Sequence, residues 1–324
     1  MNKKLTAGVA AAICAWTGLT LSSSALANDF PKEKPIRIIT AFSPGSATDI
    51  SARIVGEVLK NEIGAMVIVD NKPGAQGIIG TEAAIKSPAD GYTLTITSSS
   101  LNSINPGLFK KLPYDGYKDF THITRLTTMP IFLLVKSDGP YATMSAFVEA
   151  AKGGQLKYGY GSPGGQVSAV AFNSAAKFDA LGIPYKSQPP ALTDLAGGMV
   201  DYVVADSSVA TTLMKAGRIK ALAVSTPQRL ADWPNVPTFA ESGYKEYDLV
   251  FWVGLGGPSG IPADVANKIS AAVNKALAQP EYKEKFRTLG MQSAPNSVQE
   301  QDAFVKSQRQ TWQKRMTEAN IQPE

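Results

Sequence analysis

The chain has 324 residues, a formal net charge of +5, 44% hydrophobic and 18% charged side chains, one histidine and one cysteine. That length exceeds what one hydrophobic core usually fills, so two domains are expected. The composition is that of a globular protein, and its weak, mixed charge argues against a nucleic-acid partner. One histidine among dispersed carboxylates supplies no ligand cluster, so no metal and no cofactor are expected.

Residues 1–27 read as an export signal: Lys3 and Lys4 start it, residues 7–19 form an apolar run, and Ala25-Leu26-Ala27 has the small-residue cleavage pattern. The run is shorter than the roughly 20 residues of a spanning helix. The sole cysteine, Cys14, lies within it, so the mature chain is expected to carry no thiol and to reside in the periplasm.

Residues 36–42 predict a strand, followed by the loop Ser43-Pro44-Gly45-Ser46-Ala47-Thr48 and a helix with apolar residues at Ile50, Ile54, Val55, Val58, Leu59 and Ile63. A strand at 67–69, a glycine-rich loop at 72–77, a helix at 78–85 and a strand at 92–97 follow. Alternating strands and helices predict a parallel sheet whose ligand crevice lies beyond the carboxyl ends of its strands. The pattern restarts after Asp119, with strands at 131–135, 158–161, 202–205 and 221–224 and helices at 141–151, 167–177, 189–197 and 209–216. The last third is predicted mostly helical, over 262–277, 280–289 and 298–319. The expected organisation is a signal (1–27), a first lobe (28–127), a second lobe (128–225), and a return to the first lobe (226–324).

Gly159-Tyr160-Gly161-Ser162-Pro163-Gly164 matches the spacing of a dinucleotide fingerprint, but Asp179, twenty residues beyond Gly159, has no clear strand end to present it. What remains is a helix start whose N–H groups attract an anion, and residues 43–49 offer the same device. The plainer reading of either loop is a tight turn with Thr48 or Ser162 as a cap. Hydrolase chemistry has no Gly-x-Ser-x-Gly elbow, and the lone His122 reads as an edge-strand residue at or near the surface. No enzyme activity is expected.

The stretch from Asp70-Asn71-Lys72-Pro73-Gly74-Ala75-Gln76-Gly77 to Pro88-Ala89-Asp90-Gly91-Tyr92 resembles the substrate-binding proteins of tripartite tricarboxylate transporters, the Bug receptors. The resemblance extends through Phe42-x-Pro44-Gly45-x-x-x-Asp49, Leu112-Pro113-Tyr114-Asp115, Pro184-Tyr185-Lys186 and Pro190-Ala191-Leu192-Thr193-Asp194-Leu195, in order along the mature chain. It implies an α/β, two-lobed periplasmic binding protein fold of type II, with the ligand cleft between the lobes. It also implies a monomeric receptor that closes on a small carboxylate and passes it to membrane permease subunits, a signalling partner being the alternative. The matching ligand positions are Phe42, Ser43, Ser46, Thr48, Asp49, Ser98, Ser99, Asn102, Gly161, Ser162, Gln166 and Asp206.

Two departures bear on the ligand. Ser46-Ala47 stand where members of the family often have consecutive glycines, and the second-lobe loop is short and carries Tyr158 and Tyr160. The short loop with these aromatics, and Phe42 opposite, makes room for a flat ring, so the expected ligand is an aromatic acid of the phthalate or benzoate type, terephthalate included. An aliphatic dicarboxylate or tricarboxylate or an acidic amino acid is the alternative.

Overall fold

The computed structural model describes residues 30–323, so the expected signal segment lies outside the described residues. Strand β1 (Ile36–Thr40) enters helix α1 (Ala47–Ile63), and β2 (Val67–Asn71) follows. A short 3-10 turn (Ala75–Gly77) then leads into α2 (Ile78–Ile85), β3 (Thr93–Ser98), a π-helical segment (Ser99–Ile104) and the short α3 (Asn105–Leu108). Beyond the long β4 (Phe120–Lys136) come α4 (Met144–Gly153), β5 (Leu156–Tyr160), α5 (Pro163–Ala176), β6 (Ala180–Pro184) and α6 (Gln188–Gly197). The chain continues through β7 (Tyr202–Asp206), α7 (Ser207–Lys215), β8 (Ile219–Val224), β9 (Val250–Pro258), α8 (Ala263–Leu277), α9 (Pro280–Thr288), β10 (Gln292–Ser293) and α10 (Val298–Glu318).

Local chemistry explains the helix ends. Ser46 caps α1 by accepting from Asp49 N at 3.3 Å, and Gly64 closes it in the left-handed region at φ 69. Between them Ile54, Val55, Val58 and Leu59 bury one face against the sheet. A reciprocal box between Ser297 and Glu300 starts α10.

The strands run in the order β2-β1-β3-β9-β4-β7-β5-β6, with β8 and β10 also pairing to β4. The first lobe carries β1 parallel to β2 and β3, and the second carries β5 parallel to β6 and β7. These are the strands joined by helical crossovers, as the alternation predicts. The expectation of wholly parallel sheets is corrected by β4 and β9, which run antiparallel to their neighbours.

One strand serves both lobes. Up to Pro130, β4 pairs with β9; from Ile131 it pairs with β7 and β8. Proline has no N–H to give a ladder, and it sits at the point where the strand exchanges partners. The predicted strand at 131–135 is only the second half of this element. Strand β9 and the short β6 and β10 lie where no strand was predicted, so the last third is helical apart from β9 and β10.

Tyr202, Phe147 and Phe172 pack edge to face or stacked within the second lobe, while Ile36, Ile38, Leu59 and Trp312 are buried on the first. The single histidine is also inside. His122 is 3% exposed, stacked between Tyr117 and Phe120 at 5.5 and 6.0 Å, which corrects the expectation of a surface or half-buried residue.

Candidate functional site

Carboxyl ends of strands from both lobes meet around one cavity of ≈ 450 Å³, a volume that includes space open to solvent. The first lobe contributes Phe42 after β1, Ser46, Ala47 and Thr48 at the start of α1, and Ser98 at the end of β3 with Ser99 and Ser100 beyond it. Opposite them stand Gly161 and Ser162 at the start of α5, Ser187 and Gln188 at the start of α6, and Asp206 with Val209 at the start of α7. Met129 and the β9 residues Phe251, Trp252 and Val253 close the space between the lobes. The wall has the polar-on-apolar character of a small-molecule site.

Each hydroxyl has a local reason for its position. Ser46 Oγ and Thr48 Oγ1 lie 3.1 Å apart at the α1 start, and Ser162 Oγ accepts from Gly165 N at 3.1 Å to cap α5. Ser99 Oγ accepts from Trp252 N at 3.0 Å, tying the β3 end to β9. Ser100 Oγ accepts from Gly164 N at 3.2 Å, a direct link between the lobes. Gly161 is required where it is, because a Cβ there would overlap the Ser187 carbonyl and Gln188 N.

No lysine, arginine or histidine is among the lining residues; the ionisable one is Asp206. Its carboxylate caps α7, accepting from Ser208 N at 3.1 Å and from Ser208 Oγ. Burial pushes its pKa up, and the Ser208 hydrogen bonds offset this only in part.

Of the residues predicted from sequence, Phe42, Ser46, Ala47, Thr48, Ser98, Ser99, Gly161, Ser162 and Asp206 are brought together here. Ser43, Asp49, Asn102, Tyr160 and Gln166 are not on the cavity wall. Asp49 is engaged from behind by Arg53, Gly45 N and Asn71. Burial acts to raise its pKa, but those hydrogen bonds outweigh it and hold the carboxyl below its usual range. Asn102 is a brace, accepting from Ser98 N at 3.0 Å and donating to Gly116 O at 2.8 Å. Gln166 meets Gln76 of the other lobe. Tyr160 packs against the second-lobe core beside Tyr158, their rings 5.7 Å apart, so the tyrosines do not supply the expected aromatic wall. Phe251 and Trp252 line the cavity instead. They went unread because the strand that carries them did, while Ser187 and Gln188 sit at a helix start that was predicted but not connected to the site.

The comparisons agree with this architecture. A profile described as tripartite tricarboxylate transporter family receptor matches residues 51–321. A UPF0065 protein of Bordetella bronchiseptica is 32% identical over 298 residues, which is 90% of this chain and 87% of that one. An R. palustris protein solved with adipate superposes at a TM-score of 0.88 with 28% identity, covering 91% of this chain and 100% of its own. MatC from Rhodopseudomonas palustris, solved with malate, superposes at 0.83 with 26% identity, covering 88% and 99%. With a family profile spanning most of its length and a two-lobed architecture shared with solved members, the chain belongs to the receptors of the tripartite tricarboxylate transporter family.

Proposed function

We propose that this receptor traps a small carboxylate between its lobes in the periplasm and presents it to membrane permease subunits, and that the preferred solute is an aromatic acid. The observation that carries the reading is the cavity wall: hydroxyls and helix starts from both lobes, the aromatic residues Phe42, Phe251 and Trp252, and no basic side chain. A carboxylate there is held by O–H and N–H donors at helix N-termini, each such charge-assisted hydrogen bond contributing about 1.5–3 kcal/mol. A few from each lobe reach the roughly 8 kcal/mol of a micromolar complex, and only the closed form offers both sets. The aromatic walls favour a flat body between those polar ends.

The alternative is an aliphatic dicarboxylate, supported by the adipate and malate bound to the two solved relatives. Thermal unfolding of residues 28–324 against benzoate, phthalate, terephthalate, succinate, adipate and citrate separates the two. Stabilisation by an aromatic acid, about 2.7 kcal/mol at 100 times Kd, is the expected result. Shifts with aliphatic acids alone discard the aromatic preference, and no shift with any acid overturns the receptor reading. Transport through a permease is tested by loss of solute uptake in cells lacking this receptor.

A further inference from the structure

The start of α6 is unusual in what its first residues leave undone. Ser187 occupies the N-cap with extended backbone (φ -164, ψ 172), yet its side chain makes no capping hydrogen bond. The cause is in the sequence. A capping oxygen accepts from the N–H of the second or third helical residue, and here those residues are Pro189 and Pro190, which have none. The Ser187 hydroxyl is thereby released from the role its position would give it. It is fully buried, lines the cavity and has no hydrogen-bond partner.

Gln188, the next residue, is 5% exposed and lines the same wall. Its amide orientation is fixed by Val204 O, an acceptor that needs the NH2 group, at 3.4 Å; the same nitrogen lies 3.4 Å from Ser162 Oγ. The carbonyl Oε1 is left buried with no donor. Gly161 and Gly165 admit this arrangement, since a Cβ on either would collide with the 187–188 peptide or with Gln188 Nε2. Two orphaned polar atoms on adjacent residues that line the cavity are costly unless something that enters it satisfies them.

We propose that Ser187 and Gln188 form a recognition subsite in the second lobe for a hydrogen-bond-donating substituent, a hydroxyl or an ammonium, carried by the bound carboxylate. Gln188 Oε1 accepts the donor, and the Ser187 hydroxyl turns to accept a second hydrogen or to donate to the substituent's own oxygen. Asp206 on the same wall adds a further acceptor, so a second bare carboxylate is the group least suited to this end of the cavity. The inference rests on the carboxylate-receptor reading and narrows it to hydroxy- or amino-substituted acids.

The test uses matched acids by calorimetry on residues 28–324: benzoate against 4-hydroxybenzoate, and succinate against L-malate and L-aspartate. The wild-type protein is expected to bind at least one donor-bearing acid about tenfold or more tightly than its parent, because a site with buried polar groups rejects the analogue that leaves them unpaired. Malate against aspartate tells hydroxyl from ammonium. In Gln188→Met, of similar shape without the acceptor, the preference is expected to fall below about threefold, and in Ser187→Ala to decrease as well. Thermal unfolding of both variants confirms folding; should Gln188→Met not fold, the wild-type ratios and Ser187→Ala decide. Binding of parent acids with no preference in the wild type, as a bridging water at the two atoms would give, overturns the inference alone. So does a preference that survives both substitutions. Binding of none of the five acids while phthalate, terephthalate, adipate or citrate binds overturns the inference alone, and binding of no acid in either set overturns the underlying reading with it.

Discussion

Gln76 Nε2 donates to Gln166 Oε1 at 2.7 Å, joining the loop before α2 in one lobe to the first turns of α5 in the other. Gln76 holds this position in the left-handed region at φ 55, between Ala75 at φ 46 and Gly77 at φ 87, while Asn105 Nδ2 secures its carbonyl. A non-glycine residue with that backbone carries strain of about 1–2 kcal/mol, here retained beside a contact that joins the lobes.

The pair is therefore expected to weigh on closure more than on folding. Gln76→Gly removes the link and relieves the backbone, so its melting temperature should equal or exceed that of the wild type while ligand affinity falls by about two- to tenfold. Gln166→Ala should lose a similar amount of affinity, and the double variant little more, giving a coupling of about 0.5–1.5 kcal/mol in a calorimetric cycle. Strictly additive losses would show that the two side chains act independently.

His122 makes stability depend on pH in a defined window. Burial lowers its pKa to about 4, against 6.5 for the free side chain; Asp302 and the Tyr117 carbonyl pull the other way only weakly, and Arg309 adds to the lowering. Between those two values the unfolded chain binds a proton that the folded chain refuses, so this contribution is intact above pH 6.5 and declines as pH falls towards 4. Its full span is roughly 3 kcal/mol. Denaturant unfolding at pH 7 and pH 4.5 should show a smaller loss in His122→Phe than in the wild type.

Asp206 has the opposite sign. Its folded pKa is raised, so the folded state keeps a proton that the unfolded chain releases, and its favourable contribution is lost as pH rises from the unfolded value through the folded one. Asp206→Asn retains an oxygen to cap α7 and carries no charge. Its melting temperature is expected to exceed that of the wild type at pH 8, with the gain shrinking towards pH 4.5.

Gly161→Ala should lower stability by about 1–3 kcal/mol, because the added methyl meets backbone of residues 187–188 and cannot be relieved by turning a side chain. The same displacement moves Ser187 and Gln188, so carboxylate stabilisation in a thermal shift assay should be largely lost. A variant that melts lower yet binds fully would show that the α6 start is free to yield.

The sequence pattern was legible wherever apolar residues repeat with one period. The first crossover units of both lobes and the start of α5 at Ser162 follow directly from it, whereas α1 is capped by Ser46 and not by the expected Thr48, which lies in its first turn. Strand β9 escaped because Phe-Trp-Val-Gly-Leu-Gly-Gly-Pro reads as a glycine-rich loop. Two of its glycines answer to neighbours far away in sequence: a Cβ on Gly254 would press on Thr97 and Gln301, and one on Gly256 on Thr97 and the Thr121 carbonyl. Phe251 and Trp252, the aromatic part of the cavity, were hidden with it. Tyr160 failed for a different reason: alternation along β5 does not say which face a neighbouring strand will cover. Ser187 was missed because the Pro-Pro that follows it reads as a helix start, and the consequence for the preceding hydroxyl becomes visible only once the cavity is assembled.

The passage of β4 through both sheets sets the mechanics of capture. Its ladder to β9 ends at Pro130, and the ladder to β7 begins one residue later, so no slack chain separates the lobes along this element. Opening must be taken up as flexure and twist of a hydrogen-bonded ribbon, which resists in proportion to its deflection as a leaf spring does. An empty receptor of this build would have a bounded gape, set by how far the ribbon bends before its ladders break.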